Sequence, residues 1–175
     1  MTDEVWKRAA DHVLKVEGGY VDDPNDAGGA TNWGISLRFV KQSGVDLDID
    51  GDGDIDAEDM KALTKKQALK VYKAHFWDGK AYPKMKHAEV AIKCFDMAVN
   101  MGPKQANLLA QRAANDCGEK LVVDGAIGPA SIAAINWIDE GSMMNALRNR
   151  QADFYRDLVV KKPSYKKFLK GFPSF

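Results

Sequence analysis

Apolar residues recur at helical spacings of three and four along nearly the whole chain, a period that a predominantly sheet fold cannot accommodate. Val5, Trp6, Ala9, Ala10, Val13 and Leu14 trace one such stripe behind a Thr2 N-cap, and Gly18-Gly19 ends it. Thr64-Lys65-Lys66-Gln67 has the capping-box form S/T-x-x-E/Q and opens a helix carrying Leu69, Tyr72, Phe76 and Trp77. A short helix is predicted over 37–42, and further helices over 87–101, 103–116, 129–138, 142–160 and 164–171. Pro103 stands in the first turn of one of these and Gly118 is its stop. Strand signals are confined to the Gly-, Asp- and Asn-rich stretch 18–34, where Tyr20, Val21, Thr31 and Trp33 predict a small β-hairpin between turns. The 175 residues suit one domain or one with a small appendage, and four Trp, five Tyr and seven Phe supply a sizeable core. The expectation is a mainly α fold whose helices pack as one body.

Charge excludes several classes. Lys plus Arg and Asp plus Glu both number 25, so no basic excess announces a nucleic-acid partner. The balance hides a segregation: residues 46–59 hold eight acids and no base, leaving a net plus eight on the other 161 residues. No run of 18 apolar residues occurs and the charged N-terminus lacks an apolar signal region, so neither stable membrane insertion nor a Sec signal is expected. Cys94 and Cys117 are too few for a disulfide framework and read as thiols. His12, His75 and His87 share no metal-ligand spacing, and the Trp and Met residues read as core. The last thirty residues carry eight Lys or Arg against two acids; a solvated helical face is the simplest reading, with attraction to anionic wall polymers or headgroups as the alternative.

Glu17 follows Trp6, Ala10 and Val13 at spacings of four, three and four, which puts a carboxyl on the buried stripe of the first helix. In the last turn it meets the negative end of the helix dipole. Apolar neighbours add to this, and both effects favour the protonated form that a general acid needs. Glycosidic cleavage usually needs a second carboxylate on a differently solvated element. Asp22, Asp23 and Asp26 are the candidates, with Asp26 best placed before the flexible Ala27-Gly28-Gly29 turn.

The run Glu17-Gly18-Gly19-Tyr20-Val21-Asp22-Asp23-Pro24, with Asp26-Ala27-Gly28-Gly29-Ala30-Thr31-Asn32-Trp33-Gly34, resembles the N-terminal signature of glycoside hydrolase family 108, the N-acetylmuramidase endolysins of phage type. The E-G-G-Y match implies that Glu17 is the catalytic acid. The Glu, Asp and Thr spacing is also similar to that of phage-type lysozymes, one residue short in the second gap, which implies Asp26 and Thr31 as partners, with Asn32 in the other register. Substrate contacts are expected from Tyr20, Trp33 and Asn100. Phe95-Asp96-Met97-Ala98-Val99-Asn100-Met101-Gly102-Pro103 is similar to the second half of these proteins. Asp124-Gly125-Ala126-Ile127-Gly128-Pro129-Ala130-Ser131 resembles predicted peptidoglycan-binding modules, although a turn and helix start explain it equally simply.

The resemblance implies an α+β lysozyme-like fold, a helical bundle with a small hairpin region beside a catalytic cleft. Residues 1–94 would form the muramidase region, and 95–175 a helical C-terminal region packed into the same globule. The implied reaction cleaves the β-1,4 bond between N-acetylmuramic acid and N-acetylglucosamine in peptidoglycan. The rivals are a lytic transglycosylase using Glu17 alone and a non-catalytic, calcium-dependent wall-binding module. A monomer is expected, held in the host cytoplasm until the membrane is opened.

Asp48, Asp50, Asp52, Gly53, Ile55, Asp56 and Asp59 fall at positions 1, 3, 5, 6, 8, 9 and 12 of a calcium loop. Asp54, at position 7, would offer its backbone carbonyl. An Asp at position 12 makes the loop resemble dockerin-type loops more than an EF-hand with its bidentate Glu. The expected cofactor is one structural Ca2+, outside the chemistry.

Overall fold

The computed structural model describes residues 3–16, 19–22 and 29–161. It bears out the mainly helical class, with one two-stranded sheet among the described residues. By packing the chain divides into two compact units, Thr2–Gly79 and Lys80–Phe175.

In the N-terminal unit, helix α1 (Asp3–Val16) buries Ala9, Ala10, Val13 and Leu14, the stripe read from the sequence. Strands β1 (Thr31–Asn32) and β2 (Ile35–Ser36) pair antiparallel, Thr31 opposite Ser36 and Asn32 opposite Ile35. Trp33 and Gly34 between them have φ of 51° and 74°, so both lie in the left-handed region that a two-residue hairpin turn requires. Val21 adds a single bridge to Thr31, with both backbone bonds at 2.8 Å. The Ser36 hydroxyl then accepts from the Phe39 N–H and caps α2 (Leu37–Ser43).

The acidic segment connects α2 to α3 (Ala57–Ala62), a helix absent from the sequence reading because its first-turn acids were assigned to the loop. Asp56 and Asp59 form a capping box at its start. The predicted capping box of Thr64 and Gln67 opens α4 (Lys65–Tyr72). The helix expected to run on to Trp77 widens instead into a π-helical turn over Lys73–Trp77, closed by the Asp78 N–H on the Lys73 carbonyl at 2.7 Å. That extra residue turns Phe76 and Trp77 into the core, where Trp77 lies 5.6 Å from Trp6 and Phe76 lies 5.3 Å from Phe39.

In the C-terminal unit, α5 (Ala88–Met101) is buried nearly all round and packs against α6 (Pro103–Asp116) and α8 (Glu140–Lys161). α7 (Pro129–Trp137) packs on α6. The Asp124-Gly125 turn is clamped by Gln111, whose side-chain oxygen accepts from both N–H groups and whose nitrogen donates to Asp124 and to the Ala126 carbonyl. A Cβ at Gly125 would lie 3.2 Å from the Lys104 carbonyl oxygen, so the close approach of turn to helix demands glycine there. This segment thus does the work of a scaffold turn. The helix predicted over 164–171 lies outside the described residues. Among the described residues, no helix is long and apolar enough to cross a membrane.

One assignment is corrected. Trp137, read as core, is 86% exposed, because it is the last residue of α7, beyond the turn that buries Ala134 and Ile135.

Candidate active site

Glu17, Asp23 and Asp26 lie outside the described residues. Tyr20, Asp22 and Thr31, between or just after them in the sequence, are described. α1 is described as far as Val16. Beyond it, Tyr20 and Asp22 are exposed, and the Tyr20 hydroxyl donates to an Asp22 carboxylate oxygen at 3.4 Å. Desolvation first and the Asp22 charge next push the Tyr20 phenol above its ordinary value. The Val21 bridge ties this segment to Thr31, so the stretch after Glu17 and the β1 strand are held in one place.

Thr31 and Asn32 alternate across β1. Thr31 is half-buried, its hydroxyl donating to the Gly29 carbonyl at 3.3 Å, while Asn32 points inward and is 5% exposed. The Asn32 amide donates to the carbonyls of Met60 at 2.8 Å and Leu63 at 3.3 Å, groups left over at the end of α3. Asn32 is therefore committed to holding α3 against the hairpin, and of the two registers Thr31 is the residue left nearer the surface.

Trp33 is a bulky side chain in a left-handed backbone, a conformation that costs on the order of 1–3 kcal/mol unless its surroundings enforce it. They do. The indole N–H donates to the Leu63 carbonyl at 3.0 Å, and the Tyr72 hydroxyl donates to the Trp33 carbonyl at 2.9 Å. The sequence reading named Tyr72 only on the stripe of its helix and Asn32 only as the other register to Thr31; nothing local marks the distant backbone groups that each one holds.

Asn100 sits near the end of α5, in the C-terminal unit, and donates to the backbone and side-chain oxygens of Asp96 at 2.8 and 3.0 Å. Asp96 is 8% exposed and pairs with Lys93 at 3.4 Å. Glu89, Lys93, Asp96 and Asn100 thus form a polar line along one side of a helix whose other residues are apolar.

The carboxylates of the acidic segment gather into two groups, Asp48 with Asp50 and Asp52, and Asp54 with Asp56 and Asp59, within each of which one oxygen per residue lies inside 4.8 Å of the others. The donor set is all oxygen and anionic, which fits a hard divalent cation. Gly53, at the sixth position, has the left-handed φ of 94°. The loop is closed mainly by its own side chains: Asp48 accepts from the N–H groups of Gly51 and Gly53, and Asp59, 1% exposed, accepts from Ile49, Asp50 and Asp56. Those backbone bonds hold the Asp59 carboxyl below its ordinary range, whereas neighbouring acids raise Asp54.

A family profile described as Glycosyl hydrolase 108 matches residues 10–102, and one described as Predicted Peptidoglycan domain matches residues 105–174. The first match takes in α5 and with it Asn100, which by packing belong to the C-terminal unit. Among solved structures, that of Brucella abortus SagA is 27% identical, with a TM-score of 0.76 over 97% of this chain and 91% of that one. A search of curated proteins finds no match. The hydrolase profile spans more than half of the 175 residues and encloses both the Glu17 signature and the hairpin that fixes Thr31 and Trp33, so the chain belongs to glycoside hydrolase family 108 and is a glycoside hydrolase acting on peptidoglycan.

Proposed function

We propose that the bond cleaved is the β-1,4 linkage between N-acetylmuramic acid and N-acetylglucosamine, with Glu17 as the general acid. The observation that carries this reading is the hydrolase match over residues 10–102, which contains the whole Glu17 to Thr31 segment. By its spacing from Trp6, Ala10 and Val13, Glu17 belongs to the last turn of the first helix, where the negative end of the helix dipole disfavours its ionisation and helps it keep a proton for the glycosidic oxygen. Asp26 is the second carboxylate, which stabilises developing positive charge or positions water, and Thr31 supports it from β1. Tyr20, Trp33 and Asn100 contact the glycan; the enforced backbone of Trp33 supports this, since strain of that kind gathers at functional sites.

One Ca2+ would be held by Asp48, Asp50, Asp52, Asp56 and Asp59 with the Asp54 carbonyl, and when bound it supplies rigidity only. The chain acts as a monomer and stays in the host cytoplasm until the membrane opens. Mass spectrometry of digested peptidoglycan tests the reaction. Hydrolysis yields reducing muramic acid ends, whereas anhydro-muramic ends would assign a lytic transglycosylase. Wild-type protein that releases no fragments at all would leave only a wall-binding role.

A further inference from the structure

Tryptophan is on average among the well-buried residues, and the Trp137 indole is left 86% exposed at the end of α7, beside two exposed cations on a segment fixed to the same helix. Trp137 is the last residue of α7, and both of its chain neighbours are fixed. On one side the Asn136 amide accepts from the Lys86 N–H at 2.7 Å and donates to the Lys84 carbonyl at 3.3 Å. On the other, Ile138 is buried, and Asp139 caps the start of α8 by accepting from the Ser142 N–H at 2.9 Å. The backbone that presents the ring is therefore rigid. One turn earlier on the same side of α7, Ala133 is small and exposed, so nothing bulky shields the ring from that direction. The segment that Asn136 anchors carries two exposed cations, Lys84 and Lys86. The nearest anion in sequence, Asp139, is engaged in capping.

We propose that Trp137, with Lys84 and Lys86, is a saccharide-stacking subsite of the C-terminal unit that grips an anionic glycan strand and takes no part in the bond cleavage. An indole offers a flat apolar face with a polar edge, which suits the alternating C–H face and hydroxyl rim of a pyranose. The lysines supply the complement to the carboxylates that muramic acid and its stem peptides carry. The inference rests on peptidoglycan being the substrate, and it adds a place where the polymer is held. The Predicted Peptidoglycan match at 105–174 covers Trp137 but assigns no residue.

The test is co-sedimentation of the full chain with purified peptidoglycan sacculi, in a Glu17→Gln background, at low and at high salt. Release of reducing ends by the wild type is followed in parallel. Trp137→Ala should weaken binding about five- to tenfold at both salt concentrations, since stacking is not screened. Trp137→Phe should retain most of the affinity. Lys84→Gln with Lys86→Gln should weaken binding at low salt only and flatten its salt dependence. Melting temperatures of all variants should match the parent, given the exposure of the three side chains. Unchanged binding in Trp137→Ala, while the parent still sediments, overturns the subsite and leaves the hydrolase reading intact. A wild type that releases no reducing ends and does not sediment overturns the substrate reading itself. A dimer seen by analytical ultracentrifugation that Trp137→Ala dissociates also overturns the subsite, since the ring would then cover a second copy of the chain.

Discussion

At Trp33, local preference and tertiary demand conflict most sharply. An indole in left-handed backbone is unfavourable alone, yet the Leu63 carbonyl and the Tyr72 hydroxyl over-determine it. Asn32 beside it does the opposite job, with a buried amide that satisfies the last carbonyls of α3. Asn32→Ala should therefore destabilise the N-terminal unit by about 1–3 kcal/mol, because buried carbonyls lose their donor and no water replaces it. A melt that coincides with the wild type would show that water enters. For the chemistry, Glu17→Gln should lower lysis at least about a hundredfold without moving the melting temperature, since the amide has the shape of the acid but no proton to give. Asp26→Asn should also cripple the enzyme, and Asp22→Asn and Asp23→Asn should be milder. Retention of more than about a tenth of the activity in Glu17→Gln would remove the acid assignment.

Among the elements, the acidic segment is the one whose behaviour depends most on solution conditions. Its turns are held by Asp side chains on backbone N–H groups, and its eight acids repel one another. A cation that bound only the folded loop would stabilise it by RT ln(1 + [L]/Kd), about 2.7 kcal/mol at a hundredfold excess over Kd. Thermal melts with chelator, then with calcium or magnesium restored, should show a clear rise with calcium and a smaller one with magnesium, which resists dehydration. Asp48→Ala with Asp50→Ala should abolish the difference between the metals while sparing much of the activity. Identical melts under all conditions would leave the loop as a self-capped acidic turn. The capping box of Asp56 and Asp59 was legible only once α3 was seen, because the same acids fit a calcium loop and a helix start.

For the whole molecule, each of the two units is compact in itself, and the two cysteines report on the C-terminal one. Cys94 is buried at the heart of α5, and desolvation pushes its thiol up to about 12; Cys117, at the end of α6, is only half-buried. A thiol reagent at mildly alkaline pH should modify one cysteine per chain quickly, and the second only as fast as the C-terminal unit opens. Equal rates for both in the native protein would mean that α5 is not the closed core described here. The charge segregation belongs to this scale as well. The plus eight outside the acidic segment favours adsorption to an anionic wall, a contribution that salt screens.

The helices were legible because each carries its own period and punctuation: the stripe of α1, the Thr64 capping box, and the Gly102-Pro103 break between α5 and α6. The resemblance at Glu17 to Gly34 was legible for a similar reason, since a turn-rich signature is written in consecutive residues. Tertiary structure alone decided the rest. The π-helical turn at Lys73–Trp77 follows from packing Phe76 and Trp77 against Phe39 and Trp6, partners distant in sequence. The roles of Asn32, Tyr72 and Gln111 depend on carbonyls and N–H groups 13 to 39 residues away. The exposure of Trp137 likewise depends on which side of α7 meets α6, since a helix that is apolar nearly all round does not announce which face it will bury.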